Sequence, residues 1–98
     1  MAKIKANEAL VKALQAWDID HLYGIPGDSI DAVVDSLRTV RDQFKFYHVR
    51  HEEVASLAAG SYTKMTGKIG VALSIGGPGI FHLLNGMYDA KMDKVPQL

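Results

Sequence analysis

The residues best suited to chemistry in this sequence are two adjacent carboxylates, Glu52 and Glu53, in the stretch HVRHEEVASLAAG. They stand between a strand-like segment and an alanine-rich apolar run, where charged side chains are uncommon. One reading is electrostatic. A carboxylate at a helix N-terminus is favoured by the helix dipole, by ~0.3–1 kcal/mol, and needs no further purpose. The other reading is chemical. At the mouth of a buried helix, desolvation raises a carboxyl pKa while the dipole lowers it. A carboxyl group poised in that way suits proton transfer. Val54, Ala55, Leu57, Ala58, Ala59, Tyr62 and Met65 would cover most of the circumference of the helix behind it. Such a helix is expected to pack against something large, a second subunit included, with the small residues 58–60 allowing close approach.

Other residues compete for a role. His48 and His51 raise the question of a metal, but a strand residue and a turn residue need not converge. HEEVA is also not the His-Glu-x-x-His pattern of zinc proteases, so no metal site is expected. GIPGDS and GGPG are glycine-rich loops whose Pro and Gly are explained by turn chemistry. Neither is G-x-G-x-x-G or a Walker A loop, which argues against a dinucleotide or P-loop site in this chain. Bare backbone of this kind suits a flat heteroaromatic ring held by main-chain N–H and C=O groups. His82 and Asn85 lie one turn apart just after GGPG. A His there is a cap or core residue, or it reaches the sheet edge that holds Glu52.

These residues need elements to position them. Residues 7–17 place Ala9, Leu10, Ala13, Leu14 and Trp17 at helical spacing, with Asn7 as cap. HLYGIP reads as a strand entering a loop. DSIDAVVDSL reads as a helix capped by Asp28 or Ser29, with Ile30, Val33, Val34 and Leu37 facing inward. KFYHV is a second strand. Residues 52–66 form a helix stopped by Gly67 near its C′ position. IGVALSI is a third strand, covered on both faces. GGPG is a loop, and IFHLLNGMYDAKM a last helix. The order αβαβαβα implies a flavodoxin-like α/β fold: a three-layer αβα sandwich around a parallel sheet. Ligands of such sheets bind at loops beyond the carboxyl ends of the strands. IPGDS, RHEE and GGPG are those loops. DKVPQL stops as a new apolar segment begins, so the chain reads as part of a larger domain.

Composition narrows the function. Lys+Arg and Asp+Glu balance at 11 each, with no cysteine and 48% hydrophobic residues. A neutral chain lacks the basic footprint of a nucleic-acid binder. Without cysteine there is no disulfide framework or thiolate metal site. The N-terminus lacks a signal-peptide core, and no apolar run approaches the ~20 residues that span a bilayer. A soluble, cytoplasmic protein is the expectation.

The segments YGIPGDSIDAVVDSL, VRHEEVASLAAGSYTKMTGKIGVALSIGGPG and HLLNGMYDAKMDKVP closely resemble the N-terminal pyrimidine-binding domain of thiamine-diphosphate enzymes. Within that superfamily they are most similar to pyruvate oxidases of Gram-positive bacteria. The resemblance covers the whole chain, residues 1–98, as the N-terminal part of that domain. It implies that Glu52 hydrogen-bonds N1′ of the cofactor's aminopyrimidine and promotes the tautomer that deprotonates C2. Glu53 would be its structural partner. Ile25, Pro26 and Gly27 would meet the pyrimidine edge, with Asp28 and Ser29 beside them. Pro78, Gly79 and His82 would line the opposite side, and His82 could orient pyruvate or an intermediate. Asp28 and Phe81 depart from the smaller residues usual in related oxidases. Mg²⁺ and FAD would bind outside this chain, and subunits would pair as a homo-oligomer through helices of this domain.

The resemblance leaves alternatives open. The full-length enzyme would release acetate and reduce membrane quinone, touching the membrane peripherally through regions absent here. Otherwise it would use oxygen and form acetyl phosphate. Acetolactate synthase is a near alternative, and a non-enzymatic flavodoxin-like binding module a distant one. A receiver-type module fits poorly, since Asp18 and Asp20 precede the first strand. The 98-residue chain alone is expected to be catalytically silent.

Overall fold

Apolar spacing and turn residues set most element boundaries in the computed structural model, which describes residues 3–98. Helix α1 (Ala6–Ala16) buries Val11 and Leu14. Its N-cap is Lys5, and no side chain caps it, which corrects the assignment of Asn7. Asn7 lies inside the first turn, where its amide faces the next helix. Its Nδ2 donates to the Ala32 carbonyl at 3.1 Å and to Ser36 Oγ, tying α1 to α2.

Strand β1 (His21–Gly24) leads through a loop to a 3₁₀ turn, Asp28–Ile30, and then to α2 (Asp31–Thr39). The expected helix over 28–37 therefore begins as a tighter turn. Ile30 N donates to the Gly27 carbonyl at 3.0 Å. Ile30, not Asp28 or Ser29, is the N-cap of α2, and neither side chain makes a cap bond. Strand β2 (Lys45–His48) and helix α3 (Glu52–Thr66) follow. Gly67 ends α3 with φ 74°, the left-handed conformation that a residue without Cβ adopts at little cost.

Strand β3 is only Ala72–Leu73, shorter than the expected 69–75. Part of the flanking backbone bonds elsewhere. Gly70 bridges Gln97 in parallel, Leu98 N donates to Gly70 O at 3.0 Å, and Ala72 N donates to Leu98 O at 2.9 Å. Helix α4 (Pro78–Met92) starts inside GGPG, two residues before Ile80. Pro78 takes the first helical position, where a missing N–H costs nothing.

All strand pairs are parallel, in the order β2-β1-β3. The fold is α/β, with helices on both faces of the sheet. Helices α1 and α2 close one face over Val11, Leu14, Ile19, Leu22, Leu37, Phe44 and Val71. Helices α3 and α4 form the other layer. Their crossing is close because Gly86 faces Ser56 and Gly60 faces Ala90. Lys64 Nζ adds ion pairs to Asp89 at 2.6 Å and Asp93 at 2.5 Å.

Helix α3 is not buried all round. Ala55 and Ala59 are fully buried, whereas Val54 is 50% and Met65 86% exposed. The small residues serve contacts within the chain: a Cβ on Gly70 would lie 2.0 Å from the Ala59 carbonyl oxygen. No helix among the described residues is long and apolar enough to cross a membrane.

Candidate functional site

The carboxyl ends of the parallel strands deliver the three glycine- and histidine-containing loops to one edge of the sheet. The backbone between β2 and α3 turns at His51, the N-cap of α3, whose Nδ1 accepts from Glu53 N at 3.1 Å. That bond satisfies a helix-terminal donor that would otherwise lack a partner. It also assigns the His51 tautomer: Nδ1 is the acceptor, so the neutral ring carries its proton on Nε2.

Helix α3 then begins at Glu52. Its Oε2 lies 3.0 Å from Nδ1 of His82, on the second turn of α4. The Glu52 side chain is 15% exposed and that of His82 47% exposed. The His82 ring stacks on the His51 ring, with centroids 4.5 Å apart and planes at 28°. His82 is the main cause that holds the Glu52 carboxyl below the usual carboxylate range. A backbone hydrogen bond at Glu52 adds to the effect, and burial opposes it more weakly. The balance between desolvation and helix dipole is thus decided by a hydrogen bond to another helix.

Glycines frame this carboxylate. A Cβ on Gly79 would stand 3.4 Å from Glu52 Oε1 and 3.3 Å from Ser74 Oγ, so α4 starts against the carboxyl group. A Cβ on Gly27 would overlap Ile75 Cγ2 at 2.4 Å, so the loop after β1 lies against the residue that also borders Gly79. Ile25 N donates to the Leu73 carbonyl at 3.4 Å. Glu52 is therefore bonded to His82 and bordered by Gly79, and Gly27 reaches the same cluster through Ile75.

Other candidates make no side-chain hydrogen bond to Glu52 or His82 among the described residues. Pro26 lines a separate hollow of about 290 Å³ with Leu37, Phe44 and His48, on the α2 side. Asp28 and Ser29 are exposed in the 3₁₀ turn, and Pro78 is exposed at the start of α4. Phe81 is 70% exposed. Asn85 borders an outward groove with Leu84, Met87 and Tyr88, away from His82.

His51, Glu52 and His82 bring potential ligand atoms within 4.8 Å of one another. His48 is not in this group. Nδ1 of His51 already accepts from Glu53 N, and Nδ1 of His82 is committed to Glu52. The cluster is a hydrogen-bonded array. The part of it that the sequence reading missed is the contact of His51 with His82. A His immediately before a helix is a signal for capping, but nothing local announces its stacking partner.

Residues 4–98 match the model of the thiamine pyrophosphate enzyme N-terminal TPP binding domain. The chain belongs to the thiamine pyrophosphate enzymes. The Bacillus subtilis (strain 168) protein YdaP, provisionally named as thiamine pyrophosphate-containing, is 57% identical over the whole chain. The pyruvate oxidase of Lactiplantibacillus plantarum is 53% identical over 97% of the chain. An acetolactate synthase of Arthrospira platensis is 38% identical over 92% of it. The chain spans about one sixth of these relatives: 17% of the first and 16% of each of the others. In this family the matched domain is a thiamine-diphosphate-binding one, so the loops converging on Glu52 are the place to look for contacts to that cofactor. The residues fit a planar aminopyrimidine. A carboxyl group that is 15% exposed, able to hold or accept a proton, stands against Gly79, whose missing Cβ leaves room beside it.

Proposed function

We propose that this chain is the N-terminal part of the pyrimidine-binding domain of a thiamine-diphosphate- and FAD-dependent pyruvate oxidase. The full-length enzyme decarboxylates pyruvate to acetate and passes electrons to quinone. The observation that carries this reading is the Glu52 carboxylate, paired with His82 at 3.0 Å and backed by Gly79 at the sheet edge. The 53% identity to a pyruvate oxidase, against 38% to an acetolactate synthase, favours the oxidase branch.

When bound, thiamine diphosphate supplies the nucleophilic carbon that adds to the ketone of pyruvate and keeps the electron pair left by departing CO₂. The chain's own residues hold and tune it. Glu52 exchanges a proton at N1′ of the aminopyrimidine, and His82 keeps Glu52 ionised until the ring arrives. Main-chain groups of Ile25, Pro26 and Gly27 meet the ring edge, with Asp28 and Ser29 beside them. Pro78, Gly79 and His82 line the opposite side, and His82 orients pyruvate. Mg²⁺ and FAD bind outside this chain.

The exposed apolar residues Val54 and Leu57 on α3, with Ile80, Leu84 and Met87 on α4, support pairing with a second subunit. We place the enzyme in the cytoplasm, with any membrane contact made by other regions.

The test is Glu52→Gln in the intact protein that carries this chain. Gln keeps shape and hydrogen bonding but cannot exchange the proton. Proton–deuterium exchange at C2 of the bound cofactor should slow by roughly 10²–10⁴-fold, as for loss of a positioned acid–base group. Glu53→Gln should change it far less, because a helix-end charge is worth under ~1 kcal/mol at most surface sites. Exchange by Glu52→Gln at the wild-type rate would show Glu52 to be an ordinary helix-end carboxylate. Product analysis then separates acetate from acetyl phosphate or acetolactate.

A further inference from the structure

His51 makes contacts that neither capping nor metal ligation uses fully. Its ring is fixed at one edge by the bond from Glu53 N, and its face lies against His82. His82 needs such a support. Its side chain is 47% exposed, and the N-terminus of α4 has no side-chain cap to stiffen it. An exposed imidazole otherwise exchanges between rotamers on a picosecond-to-nanosecond scale. His51 is also suited to the task electrically. The cap bond uses Nδ1 as an acceptor, a role open to the neutral ring, which can lie against His82 without setting two cations face to face.

We propose that His51 is a positioning residue for the Glu52–His82 pair: its capped ring is the platform that holds His82 Nδ1 against Glu52. The catalytic weight of this proposal rests on the proton-exchange reading of Glu52. The positional part stands on the three contacts alone. Among the described residues, the titratable groups recorded as acting on Glu52 are His82 and His51.

Two substitutions separate the ring from the cap. His51→Asn keeps a good N-cap acceptor and removes the stacking face. His51→Phe keeps the face and removes the acceptor. The measurement is the titration of the Glu52 carboxyl carbon by ¹³C NMR in the cofactor-free intact protein, assigned by difference against Glu52→Gln. In His51→Asn the Glu52 midpoint should rise toward the ordinary carboxylate value. In His51→Phe the midpoint should rise much less than in His51→Asn, by no more than the weak direct effect of His51 on Glu52, while the unfolding temperature falls. In a His82→Ala background, the shift caused by His51→Asn should shrink to that same small direct effect.

With thiamine diphosphate bound, His51→Asn should slow C2 exchange by about tenfold or more, up to the ~100-fold that small misplacements cost. A wild-type Glu52 midpoint in His51→Asn would make His51 a cap and nothing more, and would overturn the proposal. So would an equal rise in His51→Phe, or an undiminished rise without His82. If the NMR results hold while exchange is unaffected even by Glu52→Gln, the functional reading has failed and the positioning has not.

Discussion

Gly86→Ala tests whether the α3–α4 crossing sets the site. A Cβ at position 86 would lie 2.5 Å from both Cβ and Oγ of Ser56 and 2.6 Å from Leu57 N. The shortest ordinary contact is 3.4 Å, so the helices must part by about 0.9 Å (3.4 − 2.5). Leu57 N is backbone and cannot rotate away. Overpacking of this kind costs ~1–3 kcal/mol. Replacing Gly by Ala inside a helix returns ~0.8–1 kcal/mol. A net loss of about 0–2 kcal/mol follows, and a domain of this size should melt up to roughly 16 °C lower.

The geometric effect reaches the chemistry. Gly86 lies one turn beyond His82, and Ser56 one turn beyond Glu52, so the separation should stretch the 3.0 Å pair toward the limit of hydrogen bonding. Thermal unfolding by circular dichroism and the Glu52 titration would be measured together. Gly60→Ala is the control, because its Cβ would meet Ala90 Cβ at an ordinary 3.7 Å. Its melting temperature should hold or rise. A Gly86→Ala protein as stable as wild type, with an unchanged Glu52 midpoint, would refute a tight crossing that positions the pair.

Two further outcomes follow from the loop before α4 and from the Glu52 carboxyl. Gly77 has φ 75° and ψ −132°, a region nearly closed to other residues, and nothing lies within 4 Å of its missing Cβ. Gly77→Ala should therefore cost ~1–3 kcal/mol through backbone strain alone, while Gly76→Ala, equally open but without positive φ, should be close to neutral in chemical denaturation. Glu52 has a folded pKa below its ordinary value of 4.5, so its contribution to stability is present above about that pH and lost as pH falls through the folded value. The stability difference between wild type and Glu52→Gln should shrink on acidification below the ordinary carboxylate range. A difference that grows there would reverse the sign of the Glu52–His82 interaction.

Much of this protein was legible in its residues. The apolar period placed all the helices, Gly67 marked the end of α3, and three short apolar runs gave the strands. The motif around Glu52 pointed to the thiamine-diphosphate enzymes. These features are local: a helix period, a C-terminal glycine or a short motif is written within a few turns of chain. Boundaries set by competing bonds were less legible. Asn7 reached across to α2 instead of capping, and Gly70 paired with Gln97 beside a two-residue β3.

The state of Glu52 was decided chiefly by tertiary structure. Sequence offers a helix dipole and burial, which oppose each other. The deciding partner, His82, is 30 residues away and arrives only because the parallel sheet brings the starts of α3 and α4 to one edge. The same holds for the small residues of α3, of which Ala59 and Gly60 admit Gly70 and α4 within the chain. Pro26, adjacent to Gly27 in sequence, turns to the other side of the sheet. Neighbours in the chain share a backbone, but contacts between helices depend on sheet order and crossing geometry, which no local pattern encodes.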